Sequence, residues 1–158
     1  MFQFMFKQQP FTASLVVIVL LFILLPTAVQ ASGSALTAPP PPSSSTDSIF
    51  NSNHVYLDSG SSSISKGAGQ ATIAGSTYAN RVVDTIGMTL YLQRWTGSIW
   101  VDVGSGTPLS KANATSHTGS VIRATDAGYY YRTRAVHTIT EGGVTETGET
   151  FSSSVLAS

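Results

Sequence analysis

Short runs of alternating apolar and polar residues, separated by Gly, Ser and Asn, fill the chain from about residue 61 onward. Alternation with a period of two is typical of half-buried β-strands, and frequent turn residues are typical of antiparallel sheets. No segment of this part has the pattern of an amphipathic helix. Seven strands are predicted, at residues 62–65, 70–78, 88–95, 99–103, 120–123, 129–140 and 144–151.

Seven strands in about a hundred residues predict an all-β domain at residues 61–158, an immunoglobulin-like antiparallel β-sandwich. The chain contains no Cys. The fold therefore has to be held by its apolar core rather than by disulfides, and the length fits one domain of ordinary size.

An export signal is predicted at residues 1–31. Lys7 precedes an unbroken apolar run at residues 15–25, and the small-residue site Val29-Gln30-Ala31 follows. The run is shorter than the roughly 20 residues that cross a bilayer, so we expect cleavage after Ala31 and secretion. The alternatives are an uncleaved anchor over residues 11–31 and, after cleavage, association with the cell wall.

A disordered Pro/Ser-rich spacer is predicted at residues 32–60. Four prolines at residues 39–42 favour extended polyproline II, and the serines that follow show no apolar periodicity. Such a segment cannot bury enough apolar surface to offset its ordering entropy.

The charge of the chain argues against polyanionic partners. Eight Lys and Arg balance eight Asp and Glu, and loss of Lys7 with the signal leaves a formal charge near minus one. Nucleic-acid binding requires clustered Lys and Arg on one face, and these residues are scattered here. We therefore expect no nucleic-acid partner, and no membrane partner after signal cleavage.

A tight hairpin is predicted at Gly97-Ser98, which fits a two-residue type II′ turn. This register places Trp95 opposite Trp100. It also gives the hairpin one face for the core and a second face with an aromatic stripe. The core face holds Leu90, Leu92, Val101 and Val103, and the stripe holds Tyr91, Trp95 and Trp100.

The aromatic stripe of Tyr91, Trp95 and Trp100 has two interpretations. On an open sheet face it can stack against the apolar sides of sugar rings or against a partner protein, which makes these residues the candidate ligand-binding site. Alternatively, the two tryptophans form a cross-strand pair that only stabilises the hairpin. A slip in register by one residue would exchange the two faces.

A tyrosine-rich strand follows the turn Asp126-Ala127-Gly128. Its residues 129–136 resemble the penultimate strand of fibronectin type III domains, in which an early tyrosine closes a corner with its hydroxyl. The resemblance implies inward-facing Tyr129, Tyr131, Thr133 and Ala135 and outward-facing Arg132 and Arg134. It gives structural roles to Tyr129, Tyr131 and Gly128, as the hairpin does to Gly97.

The predicted signal, the predicted spacer and three segments of the domain together resemble an uncharacterised family of small exported proteins from Gram-positive bacteria with a single Ig-like or fibronectin type III-like domain. The three segments are Leu90-Tyr91-Leu92-Gln93-Arg94-Trp95, Trp100-Val101-Asp102-Val103 and the hairpin at residues 136–146. The resemblance spans residues 70–154. It implies an extracellular fold and a bacterial source, and brings no catalytic residue, ligand or partner.

Catalytic and metal-binding patterns are weak. His54, His117 and His137 do not adjoin a nucleophile motif and lack zinc-ligand spacing, and no calcium-loop pattern occurs. We expect no catalytic residue, no metal and no cofactor. His137 is interpreted as a strand residue at a hairpin entrance. Three acidic residues are interpreted as solvated charges on a sheet edge: Glu141, Glu146 and Glu149.

The function expected from these features is that of a secreted, non-catalytic binding or adhesion module of a bacterial cell surface. Its partner would be a wall glycan or another surface protein. The first alternative is a structural extracellular protein that self-associates through sheet edges near residues 146–154, and the second is a small secreted hydrolase.

Overall fold

A computed structural model describes residues 40–42 and 48–158. The predicted export signal and residues 32–39 and 43–47 of the predicted spacer lie outside these residues. Within the described part, no helix is long and apolar enough to span a bilayer.

The described residues form eight β-strands and no helix, which confirms the predicted all-β antiparallel class. All eight belong to one sheet, and every pairing in it is antiparallel. The strands are β1 (Ser48–Ile49), β2 (Leu57–Gly67), β3 (Gln70–Trp95), β4 (Trp100–Asp102), β5 (Thr107–Ala124), β6 (Tyr130–Glu141), β7 (Val144–Phe151) and β8 (Val155–Leu156).

The strand lengths differ from the prediction in three places. β3 joins two predicted strands into one of 26 residues, and β5 runs for 18 residues where only 120–123 were expected. β1 and the start of β2 lie in residues assigned to the spacer, so the ordered domain begins earlier than residue 61. The bounds of β7 agree with the prediction.

The long strand β3 has two halves with different partners. Residues 70–78 pair with β2 and with the second half of β5, and residues 85–94 pair with β6. The register shifts between Tyr78 and Val83. A Cβ atom placed on Gly75 would lie 2.7 Å from Met88 Sδ, so the two halves face each other.

The sheet therefore folds over on itself into two layers. Layer A contains β2, residues 70–78 of β3 and residues 116–124 of β5. Layer B contains β1, β7, β6 and β8, together with residues 85–94 of β3, the first half of β5 and β4.

The apolar core lies between the layers because alternate side chains of each strand point inward. Tyr131, Thr133 and Ala135 of β6 are buried, as the resemblance to a fibronectin type III strand implied. Leu90 and Leu92 are also buried, but Val103 is exposed and Val101 is half-buried. Val101 lies in the three-residue strand β4, which pairs with β3 alone, and Val103 follows that strand. The larger buried cluster is Ala71, Ile73, Met88, Leu90, Leu92, Tyr131, Ala135 and Ala157.

Candidate functional site

The predicted aromatic stripe lies on the outer face of layer B. Trp95 pairs with Trp100 and Gln93 with Asp102, which is the register that the hairpin predicted. Gly97 has a φ of 100°, a left-handed conformation that glycine adopts without a steric penalty. The turn is closed by the amide of Thr96, which donates to the carbonyl of Ile99 at 3.0 Å.

The neighbouring strand β6 adds two arginines to this face. Arg134 pairs with Tyr91, and Arg132 pairs with Gln93. The next strand, β7, places Phe151 beside Arg134. We call this group the aromatic–arginine patch, and it consists of Tyr91, Gln93, Trp95, Trp100, Asp102, Arg132, Arg134 and Phe151.

Both guanidinium groups stack on aromatic rings. Cζ of Arg132 lies 4.5 Å from the centre of the Trp100 ring and 4.4 Å from that of Phe151, so this arginine bridges two rings. Cζ of Arg134 lies 4.3 Å from the Tyr91 ring. Cation–π contacts of this kind contribute roughly 0.5–2 kcal/mol each, so the patch stabilises the sheet.

A continuous chain of hydrogen bonds fixes the polar groups of the patch. Arg132 Nε donates to Gln93 Oε1 at 2.8 Å, and Gln93 Nε2 donates to Asp102 Oδ1 at 2.8 Å. Arg134 donates to Asp102 Oδ2 and to Glu149 Oε1, both at 3.0 Å. The patch and Glu149 thus hold two cations and two anions, and these contacts fix the positions of their side chains.

The three predicted ligand residues differ in exposure. Tyr91 and Trp100 are half-buried and retain accessible surface. Trp95 is only 6% exposed, and its ring centre lies 5.3 Å from that of Trp100. Trp95 therefore serves the hairpin as a packed cross-strand partner, whereas Tyr91 and Trp100 remain available on the surface.

His137 occupies the interior, not a hairpin entrance as the sequence suggested. Its side chain is fully buried, with Nδ1 2.8 Å from Thr77 Oγ1 and Nε2 2.8 Å from Thr150 Oγ1. The Thr77 hydroxyl donates to the carbonyl of Gly87, so it accepts from Nδ1–H, and Nε2 accepts from Thr150. Burial lowers the pKa of His137 to about 4.

Glu146 is also not the solvated edge charge that was predicted. It is 8% exposed, and its carboxylate accepts the backbone N–H groups of Val55, Tyr56 and Leu57 at 2.6, 2.9 and 2.7 Å. Burial acts to raise the pKa of Glu146, but these three N–H groups and nearby His54 outweigh it, so the pKa is lowered.

The other two acidic residues of this hairpin also have protein partners. Glu141 accepts the backbone N–H of Asp84 at 2.9 Å and lies 3.9 Å from Arg81. Glu149 is bound by Arg134. The interpretation of these three residues as solvated edge charges is therefore wrong. Over residues 40–42 and 48–158, no three His, Asp or Glu side chains cluster in a way that could hold a metal ion.

Comparison with known proteins gives one family match. The model of that family matches residues 41–155, and its description reads "Family of unknown function (DUF6147)". No curated protein and no solved structure matches the chain. The matched residues include β1 to β7 and therefore every residue of the aromatic–arginine patch.

Proposed function

The chain belongs to this family of unknown function, as its resemblance to an uncharacterised family indicated, and we propose that it is a non-catalytic binding module of a bacterial cell surface. The module contacts its ligand through the aromatic–arginine patch. The observation that carries this proposal is the fixed arrangement of partly exposed Tyr91 and Trp100 among hydrogen-bonding groups on one sheet face.

Such a patch suits ligands that present both flat apolar surfaces and polar groups. Aromatic rings supply contact area at a low cost in conformational entropy, and rings with a polar edge are frequent at binding surfaces. Because Arg134, Asp102 and Gln93 are held by one another, the patch needs little ordering on binding, which favours affinity.

A pull-down tests this proposal. The full-length chain is mixed with purified wall sacculi, chitin and cellulose, and a Tyr91→Ala/Trp100→Ala variant is expected to lose the retention that the unchanged chain shows. Trp95 is kept because its burial makes it part of the fold. Tyr78→Ala is the matched control, since Tyr78 is 43% exposed on the opposite layer.

The folded state of each variant is checked by circular dichroism. Retention of a folded Tyr91→Ala/Trp100→Ala variant at the level of the unchanged chain would refute the proposed site. Failure of the unchanged chain to bind any wall material or surface protein from the same source would remove the proposed function.

We also propose that the module is exported by a Gram-positive bacterium and folds as an immunoglobulin-like or fibronectin type III-like sandwich. The hydroxyl of Tyr131 accepts the backbone N–H of Asp126 at 3.0 Å, five residues upstream, which supports the tyrosine corner of such domains. Export with cleavage after Ala31 predicts a secreted protein whose first residue is Ser32. Mass spectrometry of the culture medium tests this, and a chain retained with residues 11–31 would indicate an anchor.

A second candidate function is self-association through a sheet edge. The edge predicted for this role, residues 146–154, is partly covered because β1 pairs with Glu149 and Thr150. A better candidate is β5, which pairs with β3 alone and has no Lys, Arg, Asp, Glu or Pro at residues 112–122. Edge strands without such residues are prone to pair with other chains.

Analytical ultracentrifugation tests this second function. Self-association predicts a mass that rises with concentration, and Ile122→Lys, at an outward position that is 62% exposed, is expected to abolish the rise. A monomeric mass throughout the concentration series would rule out assembly through this edge.

A further inference from the structure

The outer face of layer B continues beyond the aromatic–arginine patch into a region rich in threonine. Cross-strand pairing defines its rows: Thr85 lies beside Thr140, which lies beside Thr145, and in the next row Gly87 lies beside Thr138, which lies beside Thr147. Thr89 lies in the following row, between the row of Gly87 and the row of Tyr91. Side chains of these residues share the face of the patch because they alternate with buried ones along each strand.

A hollow lies at the centre of this region. Its volume is about 230 Å³, and it opens over Gly87, which contributes no side chain to the face. A Cβ on Gly87 would lie 2.3 Å from the carbonyl oxygen of Leu109, so the close passage of β5 excludes any other residue here. The rest of its lining consists of Thr85, Met88, Thr89, Pro108, Leu109, Ser110, Thr138 and Thr140. The rim is the set of these residues that carry hydroxyl groups: Thr85, Thr89, Ser110, Thr138 and Thr140.

One hydroxyl group of the rim has a hydrogen-bond partner in the described part of the fold, and the others do not. Thr140 Oγ1 lies 3.1 Å from Thr145 Oγ1. The side chains of Thr85, Thr89, Thr138 and Ser110 form no hydrogen bond with any other group among residues 40–42 and 48–158. Each hydroxyl offers one donor and two acceptor positions, so the rim can satisfy a ligand that itself carries many hydroxyls.

We propose that this threonine-rimmed hollow is a second subsite of the binding face and that the ligand is a neutral glycan chain spanning both regions. This inference rests on the proposed function and names its ligand class. Aromatic side chains then contact the apolar sides of sugar rings, and the hollow receives a further ring through its hydroxyl groups.

The charges of the face favour a neutral ligand. Arg134 is paired with Asp102 and Glu149, and Arg132 is bound to Gln93 and stacked between two rings. A polyanion or a basic peptide would have to break these contacts to find a counter-charge. A neutral polyhydroxylated chain leaves them intact.

The length of the face favours a chain over a single sugar. Thr85 in the hollow and Trp95 in the patch both lie on the continuous strand β3. They are ten residues apart, which corresponds to roughly 33 Å at about 3.3 Å per residue. One sugar ring occupies only one of the two regions, so affinity is expected to rise with the number of sugar units until both regions are filled.

Isothermal titration of the full-length chain tests the second subsite. The probes are soluble chito- and cello-oligosaccharides with two and with six sugar units, and alginate is the anionic comparator. The variant is Thr138→Val, which replaces a hydroxyl at the rim by a methyl group of nearly equal size. Thr147→Val is the matched control, because Thr147 lies on the same face outside the rim.

We expect the unchanged chain to bind a hexasaccharide of one series more tightly than the disaccharide and more tightly than alginate. Thr138→Val is expected to weaken hexasaccharide binding by up to about tenfold, the loss expected for one hydrogen bond, and Thr147→Val to leave it unchanged. Hexasaccharide binding that is equal in Thr138→Val and the unchanged chain would overturn the second subsite.

The two proposals fail in different ways. If Tyr91→Ala/Trp100→Ala loses binding while Thr138→Val retains it, the patch stands as a binding site and the hollow is not a subsite. Tighter binding of alginate than of both neutral hexasaccharides would overturn the ligand class while leaving the binding face in place.

Discussion

Acid is expected to destabilise the fold through His137. The imidazole is fully buried between the hydroxyls of Thr77 and Thr150, and the ring of Phe50 stacks on it with centroids 5.7 Å apart. Burial lowers the pKa of His137 in the folded chain from 6.5 to about 4. Below pH 6.5 the unfolded chain therefore binds a proton that the folded chain does not bind until about pH 4, and the free energy of unfolding falls as the pH falls through this window.

The size of the effect follows from the two pKa values. Each pH unit between them removes about 1.4 kcal/mol from the free energy of unfolding, so the whole window removes about 3 kcal/mol. Between about pH 7.5 and about pH 5 the loss is about 2 kcal/mol. This is a large part of the 5–15 kcal/mol that roughly bounds the stability of ordinary domains.

Urea unfolding followed by tryptophan emission measures this loss. His137→Gln removes the titrating group and keeps a hydrogen-bonding side chain, so its stability is expected to change much less between the two pH values, whatever its absolute stability. His117→Gln is the control, because this histidine is half-buried and lies on the edge strand β5. Equal losses in His137→Gln and in the unchanged chain would refute the assignment to His137.

Three further substitutions test contacts of the fold by urea unfolding. Glu146→Gln replaces one carboxylate oxygen with a donor that faces backbone N–H groups, and it is expected to lower the free energy of unfolding by about 2–3 kcal/mol. Glu149→Gln, at a partly exposed ion pair, is the control and is expected to lower it by under about 1 kcal/mol. Equal costs would contradict the buried role of Glu146. Gly60→Ala places a Cβ 2.6 Å from the buried imidazole of His137 and is expected to lower the free energy of unfolding by about 1–3 kcal/mol. Gly67→Ala is the control, because its Cβ would lie 3.2 Å from the flexible side chain of Gln70, and it is expected to lower stability much less. Tyr131→Phe removes the acceptor of a backbone N–H and is expected to cost about 1 kcal/mol; no loss would show that water replaces the hydroxyl.

The sequence predicted correctly the segments whose structure depends on residues close together in the chain. The Gly97-Ser98 turn set the register of its hairpin, and with it the pairs Trp95–Trp100 and Gln93–Asp102. The resemblance of β6 to a fibronectin type III strand implied the buried positions of Tyr131, Thr133 and Ala135, but not that of His137. In both segments the turn chemistry and the apolar period support the same pairing, so no distant contact was needed to choose between registers.

Distant contacts determine the parts that were not predicted. Residues 107–119 of β5 have little apolar alternation, because this strand lies on the edge and takes its conformation from its long pairing with β3. The carboxylate of Glu146 accepts backbone N–H groups that lie about 90 residues earlier in the chain. No residue near Glu146 in the sequence indicates these hydrogen bonds. The arginines that stack on Tyr91 and Trp100 come from β6, so the sequence predicted the aromatic stripe without its arginines.

Both of the longest strands, β3 and β5, run through layer A and layer B. Neither layer can therefore detach as a separate cooperative unit, because opening one layer breaks pairing along strands that the other layer shares. Amide hydrogens in the two layers are expected to exchange with solvent through the same global opening, which makes the domain a single unit of unfolding. The proposed binding face on layer B is then expected to stay intact until the whole domain unfolds.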